Sequence, residues 1–290
     1  MSDIAECPNC GSPLTGRYCS GCGQAAPSDE DYSFRTHVAD FFEHLTSLDG
    51  KVARTVLTLI RSPGLLTIDH LAGRRARYVR PLQLFLLVNV VLFFAGPRVP
   101  LFSYSLARYS TWAPPSPTLV RSLVARAVPS TDSVARAEYA RAFDDRVEAE
   151  RKSLILLIVP ALALVLRVIF WRRGRVTSVE PVSNTPRRYG EHLVFAFHVL
   201  AFVWLVLVGW GAVVAALSGT AVEGVMAGIL RVWIAAFLLV IPAYLFQASR
   251  TVYLLSRVRA FALTAVIGIA FVGLSYAYRT LLFFTTYYSL

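Results

Sequence analysis

The sequence predicts an all-α polytopic membrane protein, a bundle of about five transmembrane helices that carries a small N-terminal zinc ribbon. Three observations predict it. Of the 290 residues, 56% are hydrophobic and only 16% are charged, and the mean hydropathy is +0.54, more apolar than a water-soluble core requires. All four cysteines fall at the N-terminal end, in two Cys-x-x-Cys pairs. The formal net charge is +11, and Lys51 and Lys152 are the only lysines, so the excess is guanidinium. Guanidinium pairs with phosphate in fork geometry. Because the arginines border apolar runs and do not form one continuous basic face, the expected partners are anionic lipid headgroups rather than nucleic acid.

The ribbon comes first, over residues 1–26. Cys7-Pro-Asn-Cys10-Gly and Cys19-Ser-Gly-Cys22-Gly are two knuckles. Two residues between the thiolates let each knuckle offer both sulfurs to one tetrahedral ion, and the glycine after each pair permits the backbone turn. So short a segment has almost no core, so one structural Zn(2+) held by Cys7, Cys10, Cys19 and Cys22 would supply the folding energy. A redox dithiol or an iron site is the alternative. Four sulfur ligands close the shell and leave no position for water, so the role expected is structural or adhesive, with a protein partner at the ribbon. Neither a basic start nor an apolar run precedes the cysteines, which places them in a reducing cytosol.

Residues 27–33 are polar and acidic and read as a linker. Over 34–80 the apolar residues Val38, Phe41, Phe42, Leu45, Leu48, Val52, Val56, Leu59 and Ile60 recur at the spacing of one helix face. Asp49-Gly50 divides this stretch and Ser62-Pro63-Gly64 ends it, giving two amphipathic juxtamembrane helices. They either pack on the bundle or lie in the plane of the interface.

The first apolar span is 81–96, about 24 Å at helical rise and a little short for a bilayer core. Arg74, Arg75, Arg77 and Arg80 precede it against Arg98 directly after it, which sets the N-terminus inside. Residues 97–152 follow as an extracytoplasmic loop, proline-rich at first and closing in a charged helix. Its own arginines strain that placement, and the competing topology makes 81–96 re-entrant. Four more spans are expected at 154–171, 193–217, 225–246 and 260–284, with basic residues at each cytosolic loop and the C-terminus outside. The expected location is the cytoplasmic (inner) membrane.

An ionisable residue inside a bilayer costs a few kcal/mol unless paired or hydrated, which makes each one a functional candidate. Glu191 and His198 lie seven residues apart on one face at the start of the third span, with His192 about 100° around. These three could relay protons or bind an ion, and Arg77 and Arg80 are expected against Glu191. The spacing is not His-Glu-x-x-His, because position 196 is alanine. Asn89, mid-span, is expected to hydrogen-bond to a neighbouring helix. No Ser/His/Asp order, phosphate loop or nucleotide fingerprint occurs, so no catalytic residue is assigned.

The order Cys-x-x-Cys-Gly, Tyr18-Cys-x-x-Cys-Gly-Gln24, Pro63-Gly64, Gly73-Arg74, Arg77-Tyr78, Pro81 and Glu191-His192-Leu-Val-Phe with His198 resembles an uncharacterised bacterial family. It is catalogued as domain of unknown function number 3667. The resemblance runs from Cys7 to about Phe202. In that family's pattern a second histidine often stands two residues beyond the match to His198, where this chain has Leu200. The resemblance implies an inner-membrane zinc-ribbon protein without an assigned activity. The expected function is therefore non-enzymatic, a cytosolic zinc ribbon that recruits or senses a partner. The alternatives are a transporter or channel working through Glu191, His192 and His198, and an intramembrane enzyme, which would need a cavity converging on His198.

Overall fold

A computed structural model describes residues 6–25, 49–95, 104–111, 114–129, 133–171, 188–217 and 239–290. Among them the secondary structure is helical, apart from two isolated bridges in the cysteine segment. The expected linker 27–33, the first part of the juxtamembrane stretch and most of the expected span 225–246 lie outside the described residues.

Helix α1 (Asp49–Arg61) and α2 (Leu65–Leu71) form a tight pair. The turn between them needs glycine. Gly64 has φ 88°, and a Cβ there would meet the Val252 side chain at 2.9 Å and the Ala248 carbonyl at 3.1 Å. A larger residue would meet both backbone strain and a clash. Leu59, Leu66, Thr55, Thr67 and Asp69 are buried, so one face of this pair packs on neighbouring helices. Thr55 ties them to the next element, accepting from the Val79 amide at 3.0 Å while it donates to the Lys51 carbonyl at 2.7 Å.

Helix α3 (Pro81–Ala95) follows the arginine-rich junction. It packs on α8 (Tyr189–Leu217) through Leu84, Phe85, Val88 and Leu92, all buried, and Phe85 meets Phe197 at 5.5 Å. Asn89 donates to the Phe85 carbonyl of its own helix at 2.8 Å, a local bond where an interhelical one was expected. A second helix, α9 (239–253), runs antiparallel along α8. Tyr244 stacks on Phe202 at 3.5 Å, and Tyr253 hydrogen-bonds to His192 at 3.0 Å. At Leu254, φ 50° turns the chain into α10 (Arg257–Ser289).

The segment expected as a loop contains three helices: α4 (Leu106–Tyr109), α5 (Pro117–Ala127) and α6 (Ser133–Leu154). They fold onto the C-terminal part of α10. Tyr109, Phe143 and Phe283 meet pairwise at 5.3 to 5.9 Å, and all three are fully buried. Polar bonds frame this aromatic knot. The Leu106 amide donates to Asp144 at 2.7 Å, Tyr109 to the Arg279 carbonyl at 3.1 Å, and Tyr278 to the Arg151 carbonyl at 2.9 Å.

Two helices among the described residues are long and apolar enough to cross a membrane, α8 over Tyr189–Gly209 and α10 over Arg257–Ser289. Two others, α3 and α7 (Ile158–Ile169), are apolar but shorter. A 3-10 turn, Ile155–Leu157, separates α6 from α7, so within the span expected at 154–171 the α-helix is Ile158–Ile169. Where α7 meets α8, Tyr189 donates to the Pro160 carbonyl at 3.1 Å and His192 stacks on Phe170 at 5.8 Å.

Candidate metal centre

The two knuckles are copies of one turn, offset by twelve positions. In the first, the Cys7 amide donates to the Ser12 carbonyl at 2.9 Å and Gly11 returns to the Cys7 carbonyl at 2.8 Å. In the second, the Cys19 amide donates to Gln24 and Gly23 to Cys19, both at 2.8 Å. Gly11 at φ 74° and Gly23 at φ 72° supply the left-handed residue that closes each turn. Antiparallel bridges Glu6–Pro13 and Tyr18–Ala25 clamp the two bases.

The four sulfurs lie within 4.8 Å of one another. Cys7 Sγ is 3.6 Å from Cys22 Sγ and Cys10 Sγ is 3.5 Å from Cys19 Sγ. A tetrahedral thiolate shell with metal–sulfur bonds of about 2.3 Å has edges of about 3.8 Å, so the cluster fits one metal ion. The two inner sulfurs differ in surroundings. A hydrogen bond from the Ser12 hydroxyl, with its amide, lowers the Cys10 thiol to about 6. Burial raises Cys19, 2% exposed, to about 11. One ligand is thus predisposed to the thiolate, while the other would depend on the charge of an ion for deprotonation.

The ribbon is seated on the arginine-rich junction by one side chain. Gln24 Nε2 donates to the Gly73 carbonyl at 2.7 Å, and Gln24 Oε1 accepts from the amides of Arg75 and Ala76, both at 3.0 Å. The other knuckle touches the same place. A Cβ on Gly73, which has φ 80°, would come within 3.0 Å of Pro8. Composition alone makes Gln24 look like the start of a polar tail. Its position one residue past a Cys-Gly turn was the available signal, because a knuckle's closing residue faces whatever the ribbon packs on.

Beyond the ribbon, Arg74 pairs with Asp69 at 2.6 Å. A small cavity, about 10 Å³, opens between Leu66, His70, Arg74, Arg75, Tyr78, Val79, Arg80, Pro81 and His198. Arg80 is therefore placed beside His198, whereas Arg77 is exposed.

The other sequence-selected groups go to separate neighbours. The Arg188 amide donates to Glu191 at 2.9 Å, closing the first turn of α8. His192 Nδ1 and the Tyr253 hydroxyl are 3.0 Å apart within a stack of Phe170, His192 and Tyr253. His198 Nδ1 and the Thr67 hydroxyl are 2.9 Å apart. Thr67 and Tyr253 are the partners the sequence did not announce, since neither stands in a motif.

No curated protein and no solved structure matches the chain. Residues 49–93, α1 through nearly all of α3, match the family model described as Protein of unknown function (DUF3667).

Proposed function

We propose that this is a non-enzymatic, multi-pass protein of the cytoplasmic membrane whose cytosolic ribbon holds one structural zinc ion and reports that ion's presence to the membrane part. The observation that carries this reading is the seating of Gln24 on Gly73, Arg75 and Ala76. A ribbon serving only as bait for a partner would need a tether and no seat. Here the metal-dependent turn and the arginine-rich junction share three hydrogen bonds, so loss of the ion releases the junction. The face away from the junction, with Tyr18 61% exposed, is open to a protein partner, which would then meet the ribbon in its seated form.

In this proposal α8 and α10 cross the bilayer and the remaining apolar segments complete a five-span, N-in and C-out scheme, supported by the arginines before 81–96. His192 and His198 hold helices together, because their partners Tyr253 and Thr67 lie on other elements, while Glu191 closes the first turn of its own helix. Metal analysis of the purified full chain tests the centre: about one zinc per chain is expected, lost when Cys19 and Cys22 are changed to serine. Unchanged zinc in that variant would end the reading. Side-specific labelling of cysteines introduced at Ser116 and Ser183 tests the scheme, which requires Ser116 outside and Ser183 inside.

A further inference from the structure

We infer that the apolar groove between α8, α9 and the α1–α2 turn holds one acyl chain of an anionic phospholipid, with the phosphate against Arg250 and Arg61. The groove has a volume of about 540 Å³ and is open along one side, within the range of about 300 to 1,000 Å³ usual for small-ligand clefts. Ile60 and Pro63 form one wall, Phe202 and Val206 a second, and Ala243 and Tyr244 the third. Phe202 and Tyr244 stack at 3.5 Å, which ties two of these walls together. Every lining side chain is apolar apart from the Tyr244 hydroxyl, and none is charged. A polar ligand would find little there to orient it, whereas the body of an acyl chain needs no partner.

The charges stand at one end. Arg250 follows Ala243 by seven residues, two helical turns, so it lies on the same side of α9 about 10 Å further along the axis. Its guanidinium lies over the Phe246 ring at 5.8 Å. The Nε of Arg250 is buried and has no hydrogen-bond partner among the described residues. A buried donor without an acceptor is costly, and an anionic oxygen is the strongest acceptor it could meet. Arg61 is exposed and stands in the chain between the lining residues Ile60 and Pro63. The turn they belong to lies close on α9, because a Cβ on Gly64 would meet the Ala248 carbonyl at 3.1 Å. Both cations therefore belong to the end where the turn meets α9, and the groove runs from there towards Val240. Such a layout is complementary to a ligand that is apolar along its body and anionic at its head.

The antiparallel run of α9 puts this end on the side where α8 begins, since Tyr253 meets His192. In the scheme proposed above that side is cytosolic, where the bilayer surface is anionic. A leaflet as the source of the ligand rests on that reading, but the shape and charge of the groove do not.

The test uses the zinc-loaded full chain in uncharged detergent and two probes with the same acyl chains, phosphatidylglycerol and phosphatidylcholine. Lipid retention is read by native mass spectrometry. A phosphatidylglycerol with a photoreactive group in one acyl chain then locates that chain by peptide mapping. Phosphatidylglycerol should be retained about tenfold over phosphatidylcholine, with crosslinks in 202–206 and 240–244. Arg250→Gln should abolish the preference and Arg61→Gln reduce it. Ala243→Trp, which fills the groove from an exposed position, should lower retention of both lipids. The crosslink in the unaltered chain decides the matter if Ala243→Trp does not fold. Equal retention of the two lipids, crosslinks spread evenly over the exposed face of α10, wild-type retention in Ala243→Trp, or a dimer joined through the groove would each overturn the proposal. Labels on the wrong side at Ser116 or Ser183 would instead break the membrane scheme and leave a mapped crosslink standing.

Discussion

The ribbon and the α4–α6 layer on α10 are both small units attached to the long helices, and they are held by opposite means. The ribbon has no packed core. Four clustered sulfurs and a handful of turn bonds define it, and Gln24 with Pro8 meets the junction. The α4–α6 layer has an aromatic knot of Tyr109, Phe143 and Phe283, with Val120 and Val147 also buried. Its polar bonds decorate burial that already exists. One unit should respond to a chelator and the other to cavities.

The largest expected effect separates them directly. Removing metal with a strong chelator should unfold residues 6–25 and make them a protease target, because a structural zinc contributes roughly 10 kcal/mol or more to so small a domain. The α4–α6 layer should keep its protection, and equal protease sensitivity of both units would erase the contrast. Next comes Phe143→Ala. Phe143 is fully buried between two rings, so the cost should be about 3 to 5 kcal/mol. It should appear as a lower melting temperature with zinc content unchanged.

Gln24→Ala sharpens the comparison at the seat itself. Losing one donor and one shared acceptor should cost about 1 to 3 kcal/mol and raise hydrogen exchange at Arg75 and Ala76 while zinc remains bound. The smallest effect concerns Glu150. Burial raises its carboxyl, but hydrogen bonds from Thr285, Ser289, Arg146 and Thr286 outweigh that and leave it below the ordinary range. A depressed carboxyl stabilises the fold above its unfolded value, and that contribution fades as pH falls through the folded value. Mild acid should therefore loosen α6 from the end of α10, whereas Glu150→Gln should show no such pH step. Exchange at the amides of 284–289 is the measurement.

How much of this was legible beforehand differs between the units in the same way. The ribbon was legible because two identical spacings of cysteine and glycine leave little choice of geometry. So were α8 and α10, whose apolar runs are long, and α3, whose run is shorter but unbroken. The α4–α6 layer was read only as proline-rich coil ending in a charged helix. Its burial comes from Tyr109, Val120, Phe143 and Val147, spread over three helices with no common period. Their partners on α10 lie more than a hundred residues away, as with Tyr109 and Arg279. The partners of Glu191, His192 and His198 were not legible for a related reason. Helical spacing put Glu191 and His198 on one face, but the groups that satisfy the two histidines, Thr67 and Tyr253, come from other elements.

The twelve-residue offset between the knuckles leaves the ribbon nearly symmetric under exchange of its halves. A near-symmetric plug can enter its socket in two orientations, and a key is needed to choose one. Position 24 is glutamine, but its counterpart is Ser12, which is too short to span to the Gly73 carbonyl and both amides at once. Position 8 is proline, but its counterpart is Ser20. These two mismatched positions are where the ribbon meets the junction, so the breaks in the repeat set which way round the metal centre is mounted. Exchanging both pairs, Ser12→Gln with Gln24→Ser and Pro8→Ser with Ser20→Pro, should leave the sulfur cage intact and mount it reversed.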